Sequence, residues 1–253
     1  VKLVEALGIA GDDVVALIGG GGKTAAMFRL AREIVDQGGY ALTTTTTRIF
    51  AAQIALAPAH VSAAVATRES VVTALAGHRH VLVIGDTEAE SSRAGGISLD
   101  LFGRLRAWCP RVCILNEADG SRMRPFKAPA DHEPVIPIET SLVVAVVGAD
   151  VFGKTLDGEH VHRPERVSAL SGAALGVCVT PAMVARVLAH PEGGRKHVPA
   201  GARVVVLINK VEVLADRTPA YEAAERLLLE PAIESVVLAS LRGEEPVVEV
   251  CTR

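Results

Sequence analysis

The chain has 253 residues, 49% apolar and only 3% aromatic, and its 26 basic and 29 acidic side chains leave a net charge of −3. That balance gives no electrostatic reason to expect nucleic acid or an anionic membrane as a partner, and no apolar run approaches the length needed to cross a bilayer. Four cysteines and no leader-like opening make the cytoplasm the expected compartment, and an aliphatic, Ala-rich composition suits an α/β enzyme with a parallel sheet covered by helices on both faces.

The first predicted strand, 14–18, runs straight into Gly19-Gly20-Gly21-Gly22-Lys23-Thr24. A helix is predicted over 24–37, with Met27, Leu30, Ala31, Ile34 and Val35 at helical spacing. Strand, glycine run, Lys-Thr and helix in this order read as a phosphate-binding P-loop. Glycines permit positive φ, so backbone N–H groups can turn toward an anion. Lys23 then neutralises terminal phosphates, and the Thr24 hydroxyl ligates Mg²⁺ at the positive end of the helix. The long pattern Gly-x-x-x-x-Gly-Lys-Thr needs glycine where this chain has Leu17. The short pattern Gly-x-x-Gly-Lys-Thr, anchored on Gly19, fits and resembles the loop of Mur-type amide ligases.

Further strands are expected near 40–46, 61–66, 80–84, 111–117, 142–147, 203–208 and 235–239, with helices over 49–56, 69–77, 98–107, 164–174, 181–189 and 213–229. Their alternation implies right-handed crossovers in one P-loop NTPase-like α/β domain spanning 1–253. Residues 150–200 read either as a small helical insertion or as decoration of the sheet. Cys113 and Cys178 sit in apolar runs and, with Cys109, read as small core residues. One stretch breaks the rhythm: 119–139 carries Pro125, Pro129, Pro134 and Pro137, a loop long enough to be functional or disordered. Its cations Arg122, Arg124 and Lys127 suit phosphates or an anionic substrate.

Three more polar clusters close predicted strands: Thr43–Arg48, Asn116–Arg122 and Asn209–Glu212. With Gly19–Thr24 they share the carboxyl edge of a parallel sheet, where open α/β folds bind ligands. Thr45 places a hydroxyl on Mg²⁺ or simply builds a β-branched strand, and Arg48 neutralises the γ-phosphate. Glu117 or Asp119 fills the acidic role of holding Mg²⁺ or its water. Arg48, Arg122 or Arg124 supplies transition-state charge. Asn209-Lys210-x-Glu212 resembles the base-reading Asn-Lys-x-Asp of GTPases, with Glu212 in place of aspartate. Glu212 reads either as a base contact or as a charge favouring the next helix.

Together, Gly19–Thr24, the Thr-rich strand end with Arg48, Glu117–Arg122, Pro125–Pro129, His132–Pro137 and Asn209–Glu212 resemble the YqeC family over nearly the whole chain. The resemblance implies a P-loop nucleotide-binding fold using ATP or GTP with Mg²⁺. It also implies an accessory role in maturing a selenium-dependent molybdenum hydroxylase, whose protein or cofactor would be the partner. Three chemistries are compatible with these residues: a nucleotide hydrolase, a Mur-like ligase or kinase acting on a small substrate, and a nucleotide-gated carrier.

Overall fold

The computed structural model describes residues 1–88 and 92–253. Its main sheet comprises β1 (Val14–Gly19), β2 (Ala41–Thr45), β3 (His60–Ser62), β4 (His80–Ile84), β5 (Cys113–Glu117), β6 (Leu142–Gly148), β7 (Arg203–Asn209), β8 (Ser235–Ala239) and β9 (Val247–Thr252). Across the sheet the order is β9-β8-β7-β6-β1-β5-β2-β4-β3. Every pairing is parallel except β8 with β9. The helices are α1 (Leu3–Ala6), α2 (Lys23–Asp36), α3 (Arg68–His78), α4 (Leu99–Trp108), α5 (Pro164–Ser171), α6 (Pro181–Ala189) and α7 (Thr218–Leu228).

The central strands are aliphatic throughout because both faces are covered. On one face Ala16, Ile18, Val143, Val206 and Leu238 pack against Val184, Val187, Ala223 and Leu227 of α6 and α7. On the other, Val15, Leu17, Val144, Val205 and Val237 meet Leu3 of α1 and Met27, Leu30 and Ile34 of α2. A further cluster joins Leu42, Val81 and Ile114 to Val71, Leu75, Phe102 and Leu105 of α3 and α4. The alternation of neighbours such as Val15 and Ala16 between the two faces is the period-2 geometry of a strand. Among the described residues no helix is long and apolar enough to cross a membrane.

Several boundaries differ from the sequence-based expectation, each for a local reason. The predicted helix 49–56 is a two-residue strand, Ile49–Phe50, followed by a 3₁₀ segment, Ala51–Leu56. The predicted strand 61–66 ends at Ser62, whose hydroxyl accepts the Ala64 amide and starts another 3₁₀ turn. Helix α5 stops at Ser171 because Gly172 adopts φ +72° as a left-handed C-cap. Helix α7 begins only at Thr218, where Pro219 occupies its first turn. Edge strand β9 has no counterpart among the expected strands, and Cys178 is exposed rather than in the core, whereas Cys109 and Cys113 are buried. Part of the proline-rich stretch is ordered by a parallel two-stranded ribbon, Phe126–Lys127 with Val161–His162.

Parallel pairing brings Gly19, Thr45, Glu117, Gly148 and Asn209 to strand carboxyl ends along one edge. The site is built there.

Candidate functional site

Gly19 ends β1 between β5 and β6, and the loop that follows is tied down by the protein itself. The Gly19 amide donates to both carboxylate oxygens of Asp119 at 3.1 Å. Gly20 N donates to Val146 O at 2.9 Å and Gly21 N to Arg124 O at 3.1 Å. These close approaches explain the glycines: a Cβ on Gly21, at φ +78°, would overlap the Gly148 backbone, and one on Gly22, at φ +134°, would overlap the Asn209 amide. The donors open to a ligand therefore begin at Gly22, three residues after the start of the glycine run. Helix α2 has no side-chain N-cap, and the amides of Gly22, Lys23, Thr24 and Ala25 have no acceptor among the described residues. Orphaned donors at the positive end of a 14-residue helix form an anion site.

Lys23 turns back over the loop it follows. Its Nζ donates to Gly19 O at 2.6 Å and lies 3.3 Å from Asp119 Oδ1 and 3.7 Å from Glu117 Oε1. Burial works to lower its pKa, but Asp119 and then Glu117 outweigh that and hold the ammonium above its ordinary value. Glu117 is pushed up, first by burial, against the opposing pull of Lys23 and a hydrogen bond from Thr24. That bond runs from Thr24 Oγ1 to Glu117 Oε2 at 2.7 Å.

A cleft of about 270 Å³ opens over these groups. Lys23, Arg48, Arg93, Arg122 and Lys210 line it, and Glu117 is its one acid among the described residues. Phe50 and Met123 add apolar surface, with the Arg93 guanidinium 5.0 Å from the Phe50 ring centre. Five cations stand around this one lining carboxylate, with Lys23 also paired to Asp119 and Lys210 to Asp150, and among the described residues the cleft is electropositive. The hydroxyl–carboxylate pair of Thr24 and Glu117 is a hard-oxygen donor set and fits Mg²⁺, which takes one or two protein oxygens and completes its shell with water and phosphate. Among the described residues no group of three or more His, Cys, Asp or Glu could hold a metal by itself.

The remaining expected site residues are distributed as follows. Asp119 lies beneath the loop rather than on the cleft wall, bridging Lys23 to Lys127, whose Nζ is 3.0 Å away. Thr45 is fully buried, its hydroxyl donating to Glu117 O at 2.8 Å and accepting the Thr47 amide. Arg48, Arg122 and Lys210 reach the cleft, and Lys210 pairs with Asp150 at 2.6 Å. Asn209 is a bracket: Nδ2 donates to Gly21 O at 2.8 Å while Oδ1 accepts Leu241 N at 3.2 Å. Glu212 is exposed on a 3₁₀ turn and does not line the cleft.

Sequence reasoning missed Phe50, Arg93 and Asp150, which arrive from elements with no recognisable motif, and Met123, an apolar residue within the stretch noted for its cations. It also missed a chain of charge that runs from buried Lys23 to partly buried Arg163. Lys127, 3% exposed, bonds Glu133 Oε2 at 2.6 Å, and Glu133 accepts both terminal nitrogens of Arg163 at 2.7 and 3.1 Å. Lys23, Asp119, Lys127, Glu133 and Arg163 thus alternate in sign from the glycine-rich loop to the start of α5.

A family model described as YqeC protein matches residues 15–165, which take in the glycine-rich loop and every member of that chain. The Escherichia coli (strain K12) protein named "Uncharacterized protein YqeC" is 31% identical over 199 residues, covering 78% of this chain and 75% of its own.

Proposed function

The chain belongs to the YqeC family, and from its cleft we propose that it is a Mg²⁺-dependent nucleotide-binding protein of the P-loop type, taking ATP or GTP at the carboxyl edge of its sheet. The observation that carries this reading is the Thr24–Glu117 contact beside Lys23 at the uncapped start of α2. Helix amides from Gly22 onward and Lys23 hold the β- and γ-phosphates. Thr24 and Glu117 hold Mg²⁺, which supplies charge neutralisation between those phosphates when bound. Arg48 and Arg122 flank the terminal phosphate, Lys210 lies along the far end of the cleft, and Asn209 keeps the loop in shape. From the sequence resemblance we propose further that this nucleotide chemistry serves the maturation of a selenium-dependent molybdenum hydroxylase.

One observation favours transfer of the γ-phosphoryl group to a second ligand over hydrolysis. Among the described residues lining the cleft, Glu117 is the one carboxylate and it is already bonded to Thr24. Among the described lining residues no other side chain is placed to activate water.

The test is calorimetric titration of ATP and of GTP, with and without Mg²⁺, against wild type, Lys23→Ala and Thr24→Val. The expected result is binding of one nucleotide that is lost in Lys23→Ala. In Thr24→Val, affinity with Mg²⁺ should fall to the value seen without it. Each variant's unfolding transition shows that it is folded. Absence of nucleotide binding to a folded wild-type protein would refute the reading.

A further inference from the structure

A second pocket, of about 360 Å³, lies on the other side of the Ser121–Arg124 turn. Arg122, Arg124, His162, Arg163 and Glu165 line it, and Arg122 lines the first cleft as well. The turn between the two is unusual in composition. Arg124 N donates to Ser121 O at 2.9 Å, and the central residues Arg122 and Met123 have φ of +49° and +63°. That conformation is normally supplied by glycine, asparagine or aspartate. Here it carries two long side chains, and Arg122 has no hydrogen-bond or ion-pair partner among the described residues.

The other arginines are held from behind. Arg124 Nε donates to Gly158 O at 3.0 Å, leaving its two terminal nitrogens without a partner among the described residues. Arg163 is aligned by its two bonds to Glu133. His162 is pushed down to about 4 by burial and then by Arg163, Lys127 and Arg122, so at neutral pH its ring is uncharged. With Arg163 already paired to Glu133, Arg122 and Arg124 still outnumber Glu165 and leave the pocket electropositive, and the open fork of Arg124 matches the paired oxygens of a carboxylate or phosphate.

We propose that this pocket binds the phosphate or carboxylate group of a small anionic co-ligand, next to the nucleotide cleft and sharing Arg122 with it. The anion site stands on its own lining residues; its role as the partner site of a nucleotide rests on the function proposed above. Inorganic phosphate and acetate are the probes, and they separate a phosphate ligand from a carboxylate one.

Each probe is titrated calorimetrically into wild type, Arg124→Ala and Lys23→Ala. Arg124→Lys, which keeps the charge and loses the fork, guards against an Ala variant that fails to fold. The expected result is that at least one probe binds wild type, weakens at least tenfold in Arg124→Ala, and keeps its Arg124-dependent component in Lys23→Ala. Failure of both probes to bind, or binding abolished by Lys23→Ala and indifferent to Arg124, would overturn the proposal. Arg124-dependent anion binding in a chain that binds no nucleotide would retire the proposed function and leave this site standing.

Discussion

Lys23 Nζ and Asp119 Oδ1 stand 3.3 Å apart, with side-chain exposures of 3% and 2%. The cation that the proposed site needs for phosphate is thus already desolvated and aimed by a carboxylate beneath the loop. Asp119 also accepts the Gly19 amide and pairs with Lys127, so one side chain sets both the loop and its lysine. Asp119→Asn keeps the size and the amide contact but leaves two buried lysines facing a neutral group. Breaking a buried pair this way costs about 3–5 kcal/mol. Urea unfolding of the variant should show a loss of that order. A loss below about 1 kcal/mol would mean that Glu117 and Glu133 suffice as counter-ions.

The glycines differ sharply in what they tolerate. Gly21→Ala forces a side chain onto φ +78° and into the Gly148 backbone. It should lower stability by about 1–3 kcal/mol and displace the loop, with nucleotide affinity falling in step. Gly77 lies in α3 with an ordinary helical backbone, and an alanine methyl there would meet nothing within 4 Å. Gly77→Ala should therefore stabilise the protein by about 0.5–1 kcal/mol. Thermal unfolding of the two variants side by side reads both effects, and equal shifts would contradict the assignment.

Most of the sheet was legible because buried parallel strands are written in runs such as Val14–Ile18, Leu142–Val147 and Val204–Ile208, and their polar ends mark one edge. Glu117 and Asp119, two residues apart, both approach Lys23 Nζ as residues on one strand face would, with Glu117 on the cleft wall and Asp119 beneath the loop. What was not legible depends on distant partners. Nothing near Lys127 in sequence says that it is buried, because its counter-ion Asp119 and its neighbour Glu133 enclose it only after the proline-rich stretch folds back on the ribbon with Val161–His162. Asn209 stands after a strand as a base-reading residue would, yet its amide faces Gly21, 188 residues away. Strand β9 reads Val-Val-Glu-Val-Cys-Thr without a clean alternation and follows Pro246 at an exposed edge, where the hydrophobic signal is weak.

Acid should unfold this protein in two windows. His80 is held at about 4 by burial, with Nε2 2.9 Å from Thr43 Oγ1, so the fold favours its neutral form. Its contribution is complete above the unfolded value near 6.5 and is lost as pH falls through 4, on the order of 3 kcal/mol in all. His162, also held at about 4, adds to the same window. Burial works to raise Glu133, but hydrogen bonds from Arg163 and Lys127 win and hold it at about 2. Its contribution is present above about 4.5 and is lost toward 2. Denaturant unfolding across pH should show His80→Gln flattening the slope between 6.5 and 4, leaving a remainder from His162 and the lower window intact. An unchanged upper window would mean that His80 titrates normally in the fold.

Asn209 and Glu212 should behave as different kinds of residue although they lie three positions apart. Removing the Asn209 side chain leaves Gly21 O and Leu241 N without their partners, at about 1–3 kcal/mol each for a buried group. Because that bracket shapes the loop rather than touching a base, Asn209→Ala should weaken ATP and GTP by similar factors. Glu212 is exposed, so Glu212→Ala should stay within about 0.5 kcal/mol of wild-type stability. It should also leave the ratio of ATP to GTP affinity within twofold, since the side chain does not line the cleft. Paired titrations of both nucleotides against both variants decide this. A tenfold change in that ratio for Glu212→Ala would return Glu212 to the base, and would require the 3₁₀ turn at Val211–Val213 to move toward the cleft when nucleotide binds.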